Sequence, residues 1–348
     1  MHAWAAGACL LAAVAALAAG CGSGATSSRS ATSAIRAAAP GSAQPPRAAT
    51  LILDFTPNAV HTGIYAALTR HYDRAQDVRL HVIAPTATTD SIKLLETGKV
   101  DFAILDIHDL AIARERGEDV VGIMAIVERP LAAVIAARDV SSPKALQGRT
   151  VGITGVPSDT AVLRSTVAGS GGDPAKVNTI TIGFNAVADL LAGRVAGATA
   201  FWNDEGVTIQ SKSSGFHVFR VDEYGAPSYP ELVVCATGAT LEHDPGLARG
   251  VVHALVEGYE YTLGHPRRAA ADLEHEVTGL DPKLVAAQLG ALLPAFRTAD
   301  GRVGTLDAAR LARWAAWESR FGIVSRRPDV AQTFDPRYAA SAPSAPAG

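Results

Sequence analysis

The feature that most constrains the fold is a regular alternation of short apolar runs with helical patterns between residues 50 and 237. Such an alternation is typical of a mainly parallel sheet covered by helices. From Leu241 onward the apolar runs stop, and successive amphipathic helical patterns follow. The sequence therefore predicts an α/β protein whose C-terminal part is helical. The predicted strands are TLILDF, VRLHVIAP, VDFAIL, VVGIMAIV, LAAVIAA, RTVGIT, NTITIG, VAGATAF, GFHVFRV and ELVVCAT.

Two apolar runs, at 131–140 and 231–237, each connect one group of alternating elements to the next. If the chain crosses over at both, its middle forms a separate lobe and the C-terminal helices return to the first. We therefore predict a discontinuous lobe 1 (49–134 and 236–325) and a lobe 2 (135–235). Ligands of open α/β sheets bind beyond the carboxyl ends of the strands. Two facing sheets would thus share one site in the cleft.

The N-terminal segment predicts export. Residues 1–20 form an apolar run of signal-peptide length, and LAAGC resembles a bacterial lipoprotein cleavage site, with Cys21 as the residue that is lipidated. An ordinary cleaved signal with an incidental cysteine is the alternative. Residues 21–48 are rich in Gly, Ser, Ala and Pro and predict a tether, and 326–348 predict a C-terminal tail. We expect the protein on the outer face of the cytoplasmic membrane.

Charge and cysteine content exclude several classes of protein. The net charge of −3 is spread without blocks, so no nucleic-acid partner is expected. With Cys9 in the signal peptide and Cys21 lipidated, Cys235 is the single remaining thiol and no internal disulfide can form. The chain has no C-x-x-C pair and no H-x-x-x-H spacing, so no metal site is predicted.

The stretch LDFTPNAVHTGIY places polar and aromatic groups where the first predicted strand ends. Thr56 is suited to cap a following helix. Asn58, His61 and Tyr65 then lie at helical spacing on one face, next to Phe55. These four residues are candidate ligand contacts, although a core position for His61 or Tyr65 stays open.

Three other strand ends, and a segment just before the second crossover, carry polar or aromatic side chains. Helix capping and turn formation are alternative roles for several of them, including Asp106 and Ser158. GITGVP matches neither a P-loop nor a dinucleotide fingerprint, so nucleotide binding is not predicted. The candidates at these places are Asp106, His108, Gly155, Ser158, Trp202, Asn203, Glu205, Tyr229 and Glu231.

LDFTPNAVHTGIYAAL, LLETGKVDFAIL, KALQGRTVGITG and FWNDEGV, in this order and spacing, resemble the NMT1/THI5-like family of solute-binding proteins. The resemblance covers about residues 50 to 325 and implies a type II periplasmic-binding-protein fold. The first motif is similar to LDWTPNTNHTG of the branch that captures pyrimidine precursors of thiamine. Phe55 replaces the usual Trp there.

The resemblance implies a monomeric, cofactor-free receptor that hands an aminopyrimidine, such as hydroxymethylpyrimidine or its formylaminomethyl relative, to an ABC permease. A flat aminopyrimidine requires aromatic walls, and its edge requires carboxylates and amides. The candidate walls are Phe55, Tyr65, Trp202 and Tyr229. The candidate groups at the ring edge are Asn58, Asp106, Asn203, Glu205 and Glu231.

Two alternatives stay open. The same family includes pyrimidine synthases that use pyridoxal phosphate, an active-site histidine and iron. Here the segment after GKVD lacks the cofactor lysine, the late part of the chain has only Cys235, and His108 is one residue out of register with the synthase histidine. The other alternative is a receptor for a different small solute, such as a flavin precursor, a sulfonate or nitrate.

Overall fold

The computed structural model describes residues 45–87, 89–156 and 158–340. The predicted signal peptide, Cys21, most of the tether and residues 341–348 of the tail lie outside the described residues. None of the helices within them combines the length and the apolar character that a membrane crossing requires.

Each predicted strand corresponds to an observed one. The strands are β1 (Arg47–Ile52), β2 (Val78–Ile83), β3 (Phe102–Asp106), β4 (Val120–Ala125), β5 (Ala132–Ala136), β6 (Thr150–Ile153), β7 (Asn178–Thr181), β8 (Gly197–Phe201), β9 (His217–Arg220) and β10 (Leu232–Thr237). The helices are α1 (Thr62–Thr69), α2 (Tyr72–Ala75), α3 (Asp90–Glu96), α4 (Ile107–Glu115), α5 (Asp159–Gly169), α6 (Ala186–Leu191), α7 (Val207–Lys212), α8 (Gly238–His243), α9 (Pro245–Gly264), α10 (Pro266–Glu276), α11 (Pro282–Leu292), α12 (Ala308–Arg320), α13 (Val330–Thr333) and α14 (Arg337–Ala340).

The strands form two five-stranded sheets. The first has the order β2-β1-β3-β10-β4, and the second has the order β7-β6-β8-β5-β9. In each sheet one strand is antiparallel to its neighbours, β10 in the first and β5 in the second. Central strands such as β3 and β5 are buried almost throughout, which explains why their sequences are continuous apolar runs. We call the first sheet with its helices the first lobe and the other the second lobe.

The chain passes between the lobes twice. The first crossing segment (126–131) leads from β4 to β5, and the second crossing segment (225–231) leads to β10. The fully buried Glu231 joins them, because its Oε2 accepts hydrogen bonds from the N–H groups of Leu131 (2.6 Å) and Ala132 (2.8 Å). β10 itself belongs to the first sheet from Leu232 onward, so the observed crossing lies slightly earlier than the predicted boundary at 235.

The C-terminal helices return to the first lobe, and α9 packs closely on α1. A Cβ atom at Gly258 would lie 2.0 Å from the carbonyl oxygen of Gly63, so only glycine permits this approach. Further along, α12 buries Leu311, Trp314 and Trp317, so its apolar stripe is a core face. Aspartates followed by proline begin α9 and α11, as their capping preference predicts.

Residues 326–340 differ from the predicted tail. They form α13 and α14, and both Phe334 and Tyr338 are buried. The N–H of Asp335 donates to the carbonyl of Gly122 in β4 at 2.9 Å. The two aromatic side chains, four residues apart, supply apolar area to bury, which the Ala, Ser and Pro beyond residue 340 do not.

Candidate ligand-binding cleft

A cavity of about 120 Å³ lies between the two sheets and is lined by residues of both lobes. We call it the cleft cavity. Its polar wall contains six carboxyl groups: Asp54, Asp106, Asp109, Asp159, Asp204 and Glu205. Its aromatic wall contains Phe55, Phe184 and Phe201, and hydroxyl groups come from Ser91, Thr154, Ser158 and Thr199. The remaining lining residues are Ile92, Ile104, Leu105, Ala132, Val156, Val162, Ala200 and Leu232.

The cleft cavity lies where strands of both sheets end. Asp54 follows β1, and Asp106 is the last residue of β3. In the second lobe Thr154 follows β6, and Asp204 lies in the turn that follows β8. Polar side chains from separate parts of the chain therefore converge at the carboxyl edges of two sheets, as the general rule for α/β ligand sites expects.

Asn58 and His61 support the cleft cavity from behind rather than line it. Asn58 caps the turn before α1 in place of the predicted Thr56, and its N–H donates to His61 Nδ1 at 3.1 Å. A neutral imidazole whose Nδ1 accepts carries its proton on Nε2. That atom lies 2.9 Å from Asp54 Oδ1. The fully buried His61 thus orients the Asp54 carboxylate at the cavity wall.

Asp106 is the cavity-facing end of a buried polar network. Its Oδ1 accepts from the N–H of His108 at 2.8 Å and so caps α4, while the side chain also lines the cleft cavity. His108 Nε2 is 3.0 Å from the Tyr229 hydroxyl, and Nδ1 is bonded to Glu318. Burial opposes protonation of His108, but the charge of Glu318 and of the other nearby carboxylates outweighs it and raises the pKa to about 10. We interpret the group as an imidazolium held by carboxylates.

The same network contains three residues of types that can bind a metal ion. Asp106, His108 and Glu231 offer one potential ligand atom each, and these atoms lie within 4.8 Å of one another. However, His108 engages both ring nitrogens, with Glu318 and with the Tyr229 hydroxyl. A protonated imidazole has no lone pair left for a cation. These residues therefore fit a hydrogen-bond network better than a metal centre.

A π-helical turn, Trp202–Gly206, follows β8 and brings two acidic side chains to the cavity wall. Such turns are frequent at functional sites because they redirect side chains within a helix. Glu205 Oε2 accepts from the N–H of Phe201 at 3.1 Å. Burial and the charge of Asp204 raise the pKa of Glu205 to about 8, and burial raises the pKa of Asp204 to about 6.

Asp159 organises the loop between β6 and α5. Its Oδ2 accepts from the Thr154 hydroxyl (2.7 Å) and the N–H of Gly155 (2.9 Å), and its Oδ1 accepts from Thr199 (3.0 Å). Gly155 has a φ of 103°, a conformation that favours glycine, so its part is in the shape of the loop. Ser158, next to Asp159, lines the cavity together with Asp109 of the other lobe. Burial raises the pKa of Asp109 to about 7.

The predicted aromatic walls are only partly observed. Phe55 lines the cleft cavity and meets Phe184 of the second lobe edge to face, with ring centroids 4.3 Å apart. The Trp202 ring instead lies under Arg220, and the guanidinium carbon is 4.1 Å from the ring centroid. The indole Nε1 of Trp202 donates to the carbonyl of Pro130 in the first crossing segment. Buried Tyr65 and Tyr229 belong to the hydrophobic cores.

Four of the candidate residues therefore line the cleft cavity: Phe55, Asp106, Ser158 and Glu205. The other candidates lie behind it or in the cores: Asn58, His61, Tyr65, His108, Gly155, Trp202, Asn203, Tyr229 and Glu231. Among these, Asn203 is buried, and its Oδ1 has no hydrogen-bond partner within the part of the chain that the structure describes. The acidic and aromatic lining residues that the prediction left out are Asp54, Asp109, Asp159, Phe184, Phe201 and Asp204. Each lies at or just beyond the end of a predicted strand or in the first turn of a helix, which is the pattern that identified the others.

Comparison with known proteins gives consistent matches. The formylaminopyrimidine-binding protein of Halalkalibacterium halodurans is 29% identical over 274 residues, covering 77% of this chain and 83% of the relative. A 4-amino-5-hydroxymethyl-2-methylpyrimidine phosphate synthase of Legionella pneumophila is 24% identical over 230 residues, covering 63% of this chain and 71% of the synthase. Both sequence identity and coverage are thus higher for the binding protein.

Among solved structures, the alkanesulfonate-binding protein of Xanthomonas axonopodis superposes with a TM-score of 0.67 at 14% identity, covering 84% of this chain and 100% of that chain. At this identity the likeness concerns the fold. It confirms the predicted fold class, a periplasmic-binding-protein fold of type II with two α/β lobes.

The profile of the family described as NMT1/THI5 like matches residues 58–269, which include most of the cleft cavity and both crossing segments. The chain therefore belongs to the NMT1/THI5-like family.

Proposed function

We propose that this chain is the solute receptor of an ABC importer and that its cleft cavity captures an aminopyrimidine precursor of thiamine. The candidate ligands are hydroxymethylpyrimidine and its formylaminomethyl relative. The observation that carries the proposal is the cavity between the lobes, whose lining combines six carboxyl groups with three phenylalanines. The similarity to a formylaminopyrimidine-binding protein supports the same class of ligand.

The chemistry of the cavity wall suits this ligand. An aminopyrimidine has an exocyclic amine that donates hydrogen bonds, and carboxyl oxygens accept them. Each bond to a charged acceptor contributes about 1.5–3 kcal/mol, and offset ring stacking about 0.5–1.5 kcal/mol beyond area burial. Sulfonate and nitrate are disfavoured, because the acidic wall would repel an anion and none of the described lining residues is Lys or Arg.

Lobe closure supplies the mechanism of capture. Two contacts already cross the cleft: Gln288 of α11 donates to Asp204, and Phe55 meets Phe184. A ligand that touches both lobes binds the closed state more tightly than the open one, and this difference shifts the equilibrium. The permease would then recognise the closed form.

The first crossing segment is the natural pivot for this motion. The Leu131 N–H of this segment donates to the Glu231 carboxylate. Trp202 donates its indole N–H to the carbonyl of Pro130 and its backbone N–H to the carbonyl of Leu131. These bonds fix where the backbone bends, so the two lobes close along a defined path.

The synthase alternative rests on the more distant relatives. Chemistry on pyridoxal phosphate requires a lysine that forms a Schiff base with the cofactor. The cavity lining, as far as the structure describes it, holds no lysine. An absorption band of a Schiff base on addition of pyridoxal phosphate to purified protein would favour the synthase over the receptor.

Export and membrane attachment through a lipid on Cys21 complete the proposed function. The predicted cleavage site LAAGC supports it. Fractionation of cells that express the native chain and the Cys21→Ala variant tests this point. The native protein should sediment with membranes and the variant should not; sedimentation of both would contradict lipid attachment at Cys21.

Isothermal titration calorimetry tests the ligand class. The protein beginning at residue 22 retains the whole described fold and should bind hydroxymethylpyrimidine or its formylaminomethyl relative in a one-to-one ratio. Taurine, nitrate and riboflavin should give no heat. Binding of one of these three, with no response to either pyrimidine, would refute the proposed ligand.

A further inference from the structure

We propose that Glu205 binds the ligand as a neutral, protonated carboxyl group, which donates its O–H to a ring nitrogen while accepting from the neighbouring exocyclic amine. Capture would then be lost as the solution becomes alkaline. This inference rests on the proposed aminopyrimidine ligand and adds to it the protonation state of the site.

The position of Glu205 fits this role. The π-helical turn presents its side chain at the cavity wall, and Oε2 is anchored by the N–H of Phe201 at 3.1 Å. Fixing one oxygen also fixes the direction of the other. The carboxyl group is thus held as an oriented pair of atoms, which is what a two-point contact with a planar ring edge requires.

The charges around the cavity favour the protonated form. The carboxyl groups that line it with Glu205 are Asp54 after β1, Asp106 and Asp109 at β3 and α4, Asp159 at α5, and Asp204 beside Glu205 itself; the described lining residues of α3, β5 and β10 are uncharged. The nearest imidazoles, His61 and His108, lie behind Asp54 and Asp106 respectively and are bonded to other partners.

Six carboxyl groups around a cavity of about 120 Å³ cannot all be ionised without strong repulsion. Asp159 is best placed to stay ionised, because it accepts three hydrogen bonds. Among the described residues other than Glu205 itself, only Phe201 donates a hydrogen bond to the Glu205 carboxyl group. The negative charge of Asp204 adds to the cost of burying a negative charge on Glu205. Burial therefore favours a proton on Glu205, as it also does on Asp106, whose pKa it raises well above the usual range.

A protonated carboxyl group also matches the ligand better than an ionised one. The edge of a 4-aminopyrimidine has an amine that donates next to a ring nitrogen that accepts. The neutral carboxyl group offers an acceptor and a donor in the complementary order, so both bonds form. An ionised carboxylate would face the ring nitrogen with a second acceptor, and a buried acceptor pair of this kind is unfavourable.

The test is calorimetry of hydroxymethylpyrimidine binding between pH 6 and pH 10 for three proteins. For the native protein the affinity should be constant below about pH 7 and fall about tenfold per pH unit above about pH 8. Glutamine is the isosteric mimic of protonated glutamic acid, so Glu205→Gln should bind within about threefold of the native protein at pH 6.5 and show no decline up to pH 10. Glu205→Ala should lose at least about tenfold at every pH.

Glu242→Gln, an identical change at an exposed position on α8, is the matched control and should reproduce the native profile. A native profile that stays flat to pH 10, or a Glu205→Gln variant as weak as Glu205→Ala at pH 6.5, would overturn the protonated state. Absence of native binding at every pH would instead refute the proposed ligand. Thermal melts of each variant at each pH verify that a loss of affinity is not a loss of fold.

Discussion

Replacing Glu231 by alanine should destabilise the protein strongly, because this carboxylate joins the two crossing segments. Its Oε2 accepts the N–H groups of Leu131 and Ala132 in a fully buried place. Each buried N–H left without a partner costs about 1–3 kcal/mol, so the Glu231→Ala variant should lose roughly 2–6 kcal/mol of unfolding free energy. Glu231→Gln keeps an oxygen for both N–H groups and should lose less than about 1.5 kcal/mol.

Urea denaturation followed by tryptophan fluorescence measures both variants. With a slope of about 3 kcal/mol/M, the alanine variant should unfold at roughly 0.7–2 M lower urea than the native protein, and the glutamine variant within about 0.5 M of it. Ligand affinity of Glu231→Gln should stay within about threefold of native. If Glu231→Gln instead abolished binding at unchanged stability, Glu231 would be a ligand contact and its assignment to the crossing would be wrong.

Three further predictions follow from close packing, lobe contacts and buried charge. Gly258→Ala should lower the free energy of unfolding by about 1–3 kcal/mol in urea titrations because its Cβ meets α1, whereas Gly290→Ala, in a helix with open space around it, should raise it by about 0.5–1 kcal/mol; equal effects would contradict the packing. Gln288→Ala removes the hydrogen bond to Asp204 across the cleft, so ligand binding should weaken by about threefold to tenfold and the radius of gyration in solution scattering should increase. An unchanged radius of gyration and affinity would show that this bond does not stabilise the closed state. The folded state holds the Glu205 proton more tightly than the unfolded state, so the thermal stability of the ligand-free protein should fall between about pH 5 and pH 8, and less steeply in Glu205→Gln; parallel profiles would contradict the raised pKa.

The sequence predicts most of the fold because its apolar runs are buried strands. β3 and β10 are covered on both faces, and such strands must be almost continuously apolar. The predicted boundaries of the folded part are less accurate where a tertiary contact decides where the chain stops packing. Residues 326–340 look polar and biased in composition, yet Phe334 and Tyr338 attach them to the first lobe.

The candidate site could be predicted in location but only partly in composition. Strand ends identified Phe55, Asp106, Ser158 and Glu205, because the carboxyl edge of a sheet is fixed by topology. Which side chain of a strand end enters the cavity depends on local backbone geometry instead. The π-helical turn after β8 directs Asp204 and Glu205 into the cavity while Trp202 turns toward the first crossing segment, and no sequence period signals such a turn.

His61 illustrates the difference between a ligand contact and its support. Its spacing from Asn58 and Tyr65 suggested a common face toward the ligand. In the structure the ring is fully buried and bridges the Asn58 N–H to the Asp54 carboxylate. Sequence spacing places residues on a face of a helix, whereas the layers packed against that face decide which of them reaches the cavity.

A structure of the protein in complex with hydroxymethylpyrimidine tests the central claim most directly. We predict that the ring lies in the cleft cavity, within hydrogen-bond distance of Glu205 and in contact with residues of both lobes, including Phe55. A ring bound at the surface, or against one lobe alone with the cleft cavity left open to water, would contradict the account.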